Sequence, residues 1–170
     1  MRRRELLAGV GGAAVVGAGG YLALTAGEER IDPTVIDLFD TSTTAGAELR
    51  VPVNGEVTVV DLFATWCQPC KPALDALRTV QAETTDVAFV SVTNEVLGGE
   101  LSRDDVLAWW DAYGGAWPVG HDPEGSLLAS LGASTLPYTA VVDPSGRVVW
   151  AETGVPDPER VSQAIDDARP

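Results

Sequence analysis

The chain alternates between short apolar runs and segments with helical periodicity. Val57-Thr58-Val59-Val60-Asp61-Leu62-Phe63 is β-branched and mostly apolar, with Asp61 as its only charge, so it reads as a buried strand. A helix should follow from about Gln68 to Thr84, with Leu74, Leu77 and Val80 on one stripe. Val87 to Val92 reads as a second buried strand. Ser102 is an N-cap with Asp105 three residues on, as in a capping box. The helix it opens should bury Val106, Trp110 and Tyr113 and stop at Gly114-Gly115. A short helix is expected around Ser126 to Leu131. Tyr138 to Val142 and Val148 to Ala151 should be strands joined through the turn Asp143-Pro144-Ser145-Gly146. Asp157-Pro158-Glu159 starts a last helix, with Val161 and Ile165 facing inward. Upstream, Thr34 to Leu38 and Leu49 to Val53 are weak extended segments around the loop Asp40–Ala47. Strand and helix in alternation, then a hairpin and a helix, make an α/β pattern.

The N-terminus follows a different rule. Arg2-Arg3-Arg4-Glu5 leads into an uncharged Ala/Gly/Val/Leu stretch from Leu6 to Ala26, the arrangement of an export signal. Arg3-Arg4-Glu5-Leu6-Leu7 resembles the twin-arginine pattern, although Arg2 stands where that pattern usually has Ser or Thr. The apolar run is about long enough to span a bilayer, and the cleavage sites near Ala23–Gly27 are only fair, which favours retention as an anchor. No cysteine closely follows the run, which argues against a lipid-anchored lipoprotein. The expected organisation is an export signal or membrane anchor over 1–27, a linker over 28–33 and one domain over 34–170. The expected location is extracytoplasmic, with membrane attachment through residues 6–26 or secretion.

Composition narrows the function. The 25 Asp and Glu against 11 Lys and Arg give a net charge of −14, which disfavours nucleic-acid partners. Lys71 is the only lysine, and so acidic a surface suggests a halophilic setting in which salt screens the self-repulsion. A chain this long, with 45% hydrophobic residues, does not need disulfide staples to fold. Its only two cysteines therefore read as reactive. They stand two residues apart in Trp66-Cys67-Gln68-Pro69-Cys70, between an apolar strand and a helix, where they can close into a disulfide and reopen. A structural zinc site needs about four ligands, and two cysteines with the single histidine, His121, are too few. No cofactor is expected.

Three blocks carry a family resemblance: Asp61 through Lys71, Trp117-Pro118-Val119, and Leu136-Pro137-Tyr138-Thr139 running on to Gly146. In them the chain resembles the thioredoxin-like family, in particular its exported TlpA/ResA type of thiol-disulfide oxidoreductase. The resemblance implies a thioredoxin fold, a central mixed sheet flanked by helices, here with a short extended N-terminal extension. Cys67, at the helix N-terminus and the more exposed of the pair, is expected to be the nucleophile, and Cys70 to resolve the mixed disulfide. The resemblance further implies that Asp61 accepts the proton of Cys70 and that Pro137 is cis beside the cysteines, leaving the Leu136 backbone for an extended substrate. An edge carboxylate at 61 and an ordinary trans proline at 137 are the plain alternatives. Relatives often carry Glu three residues after the second cysteine, where this chain has Ala73. Trp66 should shield the cysteines and contact partners, or else pack in the core. The implied partners are disulfide- or dithiol-bearing proteins outside the cytoplasm and a membrane electron donor, with reduction the implied direction. The alternative is a copper-delivery module using Cys67, Cys70 and His121, the last expected in a loop. Asn94-Glu95 follows the second strand without a role readable from the sequence.

Overall fold

The computed structural model of the protein describes residues 30–41, 44 and 46–170; the export segment expected over 1–27 lies outside them, as do Glu28 and Glu29. Ile31 is buried and its N–H donates to the Gly146 carbonyl at 3.0 Å, so the chain is already laid against the domain before residue 34. Among the described residues no helix is long and apolar enough to cross a membrane.

The strands are β1 (Thr34–Leu38), β2 (Glu48–Val51), β3 (Val57–Phe63), β4 (Val87–Thr93), β5 (Val119–His121), β6 (Tyr138–Val142) and β7 (Val148–Thr153). The helices are α1 (Cys70–Glu83), α2 (Arg103–Ala112), α3 (Ser126–Ser130) and α4 (Pro158–Ala168). All seven strands form one sheet in the order β2-β1-β5-β4-β3-β6-β7. β3, β4 and β5 run parallel and the remaining pairs are antiparallel, which gives the mixed sheet expected. The parallel crossovers through α1 and α2 step in one direction across the sheet and so cover one face. Val57, Val59 and Phe63 of β3 join α1, α2 and α4 in the core on that face. Val60 and Leu62 alternate to the other, with Leu127 of α3 and Ile36 of β1. Every residue of β3 is buried, the two-sided burial its composition called for.

Three expectations need correction. α1 starts at Cys70 rather than Gln68, with Pro69 as its N-cap. The bonds from Cys70 to Cys67 and from Lys71 to Gln68 are turn-type, spanning three residues, and the first bond spanning four runs from Ala73 to Pro69. Tyr113 is not on the buried face of α2 but is its exposed C-cap, where the Lys71 ammonium stands 4.6 Å from its ring centroid. His121 is not in a loop but ends β5, paired with Thr93 and with Asp37 of β1. A three-residue strand between Pro118 and the Asp122-Pro123 turn is too short to show a period in sequence.

The capping box forms as read: Ser102 accepts from the Asp105 N–H, and the Asp105 carboxylate accepts from the Ser102 N–H at 2.9 Å. At the other end of α2, Gly115 lies against the buried Trp110 ring; a Cβ there would stand 2.0 Å from Cε2.

Candidate active site

β3 delivers the chain to the carboxyl edge of the parallel strands, where open α/β sheets place their sites. Ala64 to Trp66 then turn into Cys67, whose N–H donates to the Ala64 carbonyl at 3.1 Å. Cys67 and Cys70 are joined in a disulfide, with their Cα atoms 5.4 Å apart. The expected difference in exposure between them is absent: Cys67 is 3% and Cys70 2% exposed. Position separates them instead, since Cys70 is the first residue of α1 and Cys67 precedes it. The first-turn donors of α1 are also less free than expected. The N–H groups of Cys70, Lys71 and Ala73 donate to the carbonyls of Cys67, Gln68 and Pro69, and Pro72 has none. What remains to favour a Cys67 anion from α1 is the helix dipole.

Asp61 is buried on the face that carries α1, as strand alternation from Val59 and Phe63 requires. Its neighbours across the sheet are Ser91 of β4 and Thr139 of β6. The Ser91 hydroxyl donates to Asp61 Oδ2 at 2.7 Å, and Trp117 Nε1–H donates to Ser91 Oγ at 3.0 Å. Asp61 Oδ1 and Thr139 Oγ1 are buried without a hydrogen-bond partner. Burial pushes the Asp61 carboxyl up to about 7, and the Ser91 hydrogen bond only partly opposes it. A carboxyl poised near neutrality can hold or release a proton under working conditions. The edge-carboxylate alternative is thereby removed. Sequence reading missed Ser91 and the donor role of Trp117. A signal was present: Ser91 is a polar interruption of the apolar β4, as Asp61 is of β3.

The rim is made by loops. Trp66 is 70% exposed, so it is not a core residue. The Leu136–Pro137 bond is cis. Pro137 is buried, and Leu136 is half-buried against both hydrophobic cores. A second cis bond, Val51–Pro52, had no sequence signal. Glu95 reaches the redox turn directly: its carboxylate accepts from the Thr65 N–H at 2.8 Å, the Thr65 hydroxyl at 2.7 Å and the Thr93 hydroxyl at 3.1 Å. His121 Nε2 is 2.7 Å from the Glu95 carbonyl oxygen. That contact takes up one of the two ring nitrogens. Among the described residues no three His, Cys, Asp or Glu side chains converge as metal ligands, so His121 is not brought together with the cysteines.

The family described as Redoxin matches residues 37–167. Among curated relatives, "Thiol-disulfide oxidoreductase ResA" of Oceanobacillus iheyensis is 24% identical over 84% of this chain and 66% of its own length. "Thioredoxin-like protein YneN" of Bacillus subtilis is 26% identical, over 66% of this chain and 65% of its own length. The chain thus spans just under two thirds of these relatives. "Sporulation thiol-disulfide oxidoreductase A" of Bacillus subtilis, 22% identical, is matched over 84% of its length. Among solved structures, StoA from Bacillus subtilis superposes with a TM-score of 0.65 at 18% identity, covering 81% of this chain and 98% of that one. A putative thiol:disulfide interchange protein DsbE from Chlorobium tepidum gives 0.67 at 22% identity, covering 82% and 95%. These superpositions establish a thioredoxin-like fold.

Proposed function

The chain belongs to the Redoxin family, and from that premise we propose that it is an extracytoplasmic thiol-disulfide oxidoreductase that reduces disulfides in partner proteins. The observation that carries the reading is a closed Cys67–Cys70 pair on the sheet face that also buries Asp61. The names of the relatives, thiol-disulfide oxidoreductases among them, support the same chemistry.

In the reducing direction the Cys67 thiolate attacks one sulfur of a substrate disulfide, forming a mixed disulfide and expelling a substrate thiolate. Cys70 then gives its proton to the Asp61 carboxylate and attacks the Cys67 sulfur. The second substrate thiolate leaves, and the Cys67–Cys70 disulfide closes. Two electrons pass to the substrate, whose two thiolates take protons from solvent, and Asp61 returns its proton to solvent. A membrane electron donor must reopen the disulfide for the next cycle. Trp66 supplies an apolar contact for the partner, and the Leu136 backbone before cis-Pro137 pairs with its extended segment. The basic and then apolar start of the chain supports export, with residues 6–26 as the attachment to the membrane. The net charge of −14 suits saline surroundings.

The test is reduction of insulin disulfides by the full chain. Cys67→Ala should abolish it, and Cys70→Ala should accumulate mixed disulfides that dithiothreitol releases. Turnover by Cys67→Ala at the parent's rate would overturn the reading. An equilibrium with glutathione that lies towards the dithiol would make the protein an oxidant instead.

A further inference from the structure

The carboxyl ends of β3, β4 and β5 lie in one row, with Phe63 beside Thr93 and Thr93 beside His121. The loops that leave β3 and β4 there are joined by one side chain. Glu95 Oε2 accepts from the Thr65 N–H and the Thr93 hydroxyl, and Oε1 accepts from the Thr65 hydroxyl. Three hydrogens converge on two oxygens, an arrangement for an acceptor-only carboxylate. The Glu95 N–H is within 3.3 Å of Thr93 Oγ1, and its carbonyl meets His121 Nε2 at 2.7 Å, so the residue is fixed at both ends. Thr65 is two residues before Cys67 in a turn that its Cys67-to-Ala64 hydrogen bond closes. The one lysine nearby, Lys71, has its ammonium over the Tyr113 ring.

We propose that Glu95 is a positioning residue of the redox site: its carboxylate pins the Thr65–Cys67 turn, and its negative charge biases the Cys67–Cys70 couple towards the disulfide. The bias follows from electrostatics. A thiolate at Cys67 exists only in the reduced protein, and a carboxylate anchored to the same turn repels it. The reduced form is destabilised relative to the disulfide, which makes the dithiol a stronger donor of electrons. The inference rests on the thiol-exchange reading above.

Glu95→Gln separates charge from anchoring. A glutamine with its carbonyl at the Oε2 position keeps the Thr65 N–H and Thr93 contacts. Its amide nitrogen, at the Oε1 position, donates to the Thr65 hydroxyl, which turns to accept. In the full chain, Glu95→Gln should move the redox equilibrium with glutathione roughly fivefold towards the dithiol, the effect of removing one charge anchored two residues from Cys67 in a partly screened site. Alkylation of Cys67 by iodoacetamide should quicken in the reduced variant. Glu95→Ala removes the anchor as well and should lower kcat for insulin reduction about tenfold, with a smaller change in KM. Thr65→Val, which deletes only the hydroxyl donor, should lower kcat several-fold while its equilibrium stays within about twofold of the parent; it reads the anchor even where Glu95→Ala does not fold. A Glu95→Gln equilibrium within twofold of the parent overturns the charge role, and parental kcat in Thr65→Val overturns the anchoring role. The equilibrium is measured whatever protein the parent reduces, so failure of this inference and failure of the functional reading are told apart.

Discussion

Asp61 is the residue at which burial and charge conflict. Its carboxyl titrates near 7 in the folded chain, against an ordinary value of 3.8, because burial penalises the charged form. The folded state therefore binds this proton more tightly than the unfolded one. The corresponding stability is fully present below about pH 4, is lost as pH rises to about 7, and amounts to roughly 4 kcal/mol. Asp61→Asn keeps an acceptor for Ser91 and removes the ionisation. The variant should melt higher than the parent at pH 8 and nearly equal to it at pH 4, as followed by circular dichroism. It should also slow resolution by Cys70 at neutral pH by roughly a hundredfold or more, the usual worth of a positioned base. Parental rates across neutral pH would remove Asp61 from the proton path. A residue that costs stability and speeds exchange is what a functional, rather than structural, buried carboxylate predicts.

Among elements, what the sequence revealed depended on whether one segment alone carried the signal. β3, β4, β6 and α4 were legible because their apolar runs or cap residues are local. β5 was not, since its three residues owe their strand state to pairing with β1 and β4. At the site, Cys67, Cys70 and Asp61 stood out by residue type, and Pro137 through the family resemblance. Glu95 and Ser91 did not, because their roles are hydrogen bonds between segments thirty residues apart in sequence. Gly115 belongs to the same class: its neighbour Trp110 is close in sequence, but the reason for glycine appears only in the packing. Trp110 stacks edge-on against Trp117, with ring centroids 5.5 Å apart, and Trp117 holds Ser91. Gly115→Ala would drive a Cβ into the Trp110 ring, which is walled in by the core and cannot give way. The substitution should cost about 2 kcal/mol or more, measured by urea unfolding. The displaced ring should be visible in near-ultraviolet circular dichroism. An unchanged unfolding midpoint would show that the end of α2 is free to move aside.

For the whole molecule the governing quantity is charge. The net −14 is spread over 25 carboxylates that only 11 basic side chains can offset. Ion pairs in the described residues, such as Arg103–Asp37 at 2.6 Å and Arg160–Glu152 at 3.1 Å, lie at the surface, where each contributes little. Most of the acidic surface therefore repels itself, and the unfolded chain relieves that repulsion by expanding. Salt should stabilise the folded state by screening. The melting temperature should climb by roughly 5 °C or more on adding KCl, since about 1 kcal/mol moves the midpoint of a domain this size by several degrees. The shape of the curve identifies the cause. Screening predicts most of the gain below about 1 M, where the screening length falls from 10 Å at 0.1 M to 3 Å. Salting-out of apolar surface predicts a steady rise that continues beyond that point. A flat curve would mean that the carboxylates are too far apart to matter, and would remove the physical basis for placing this protein in saline surroundings.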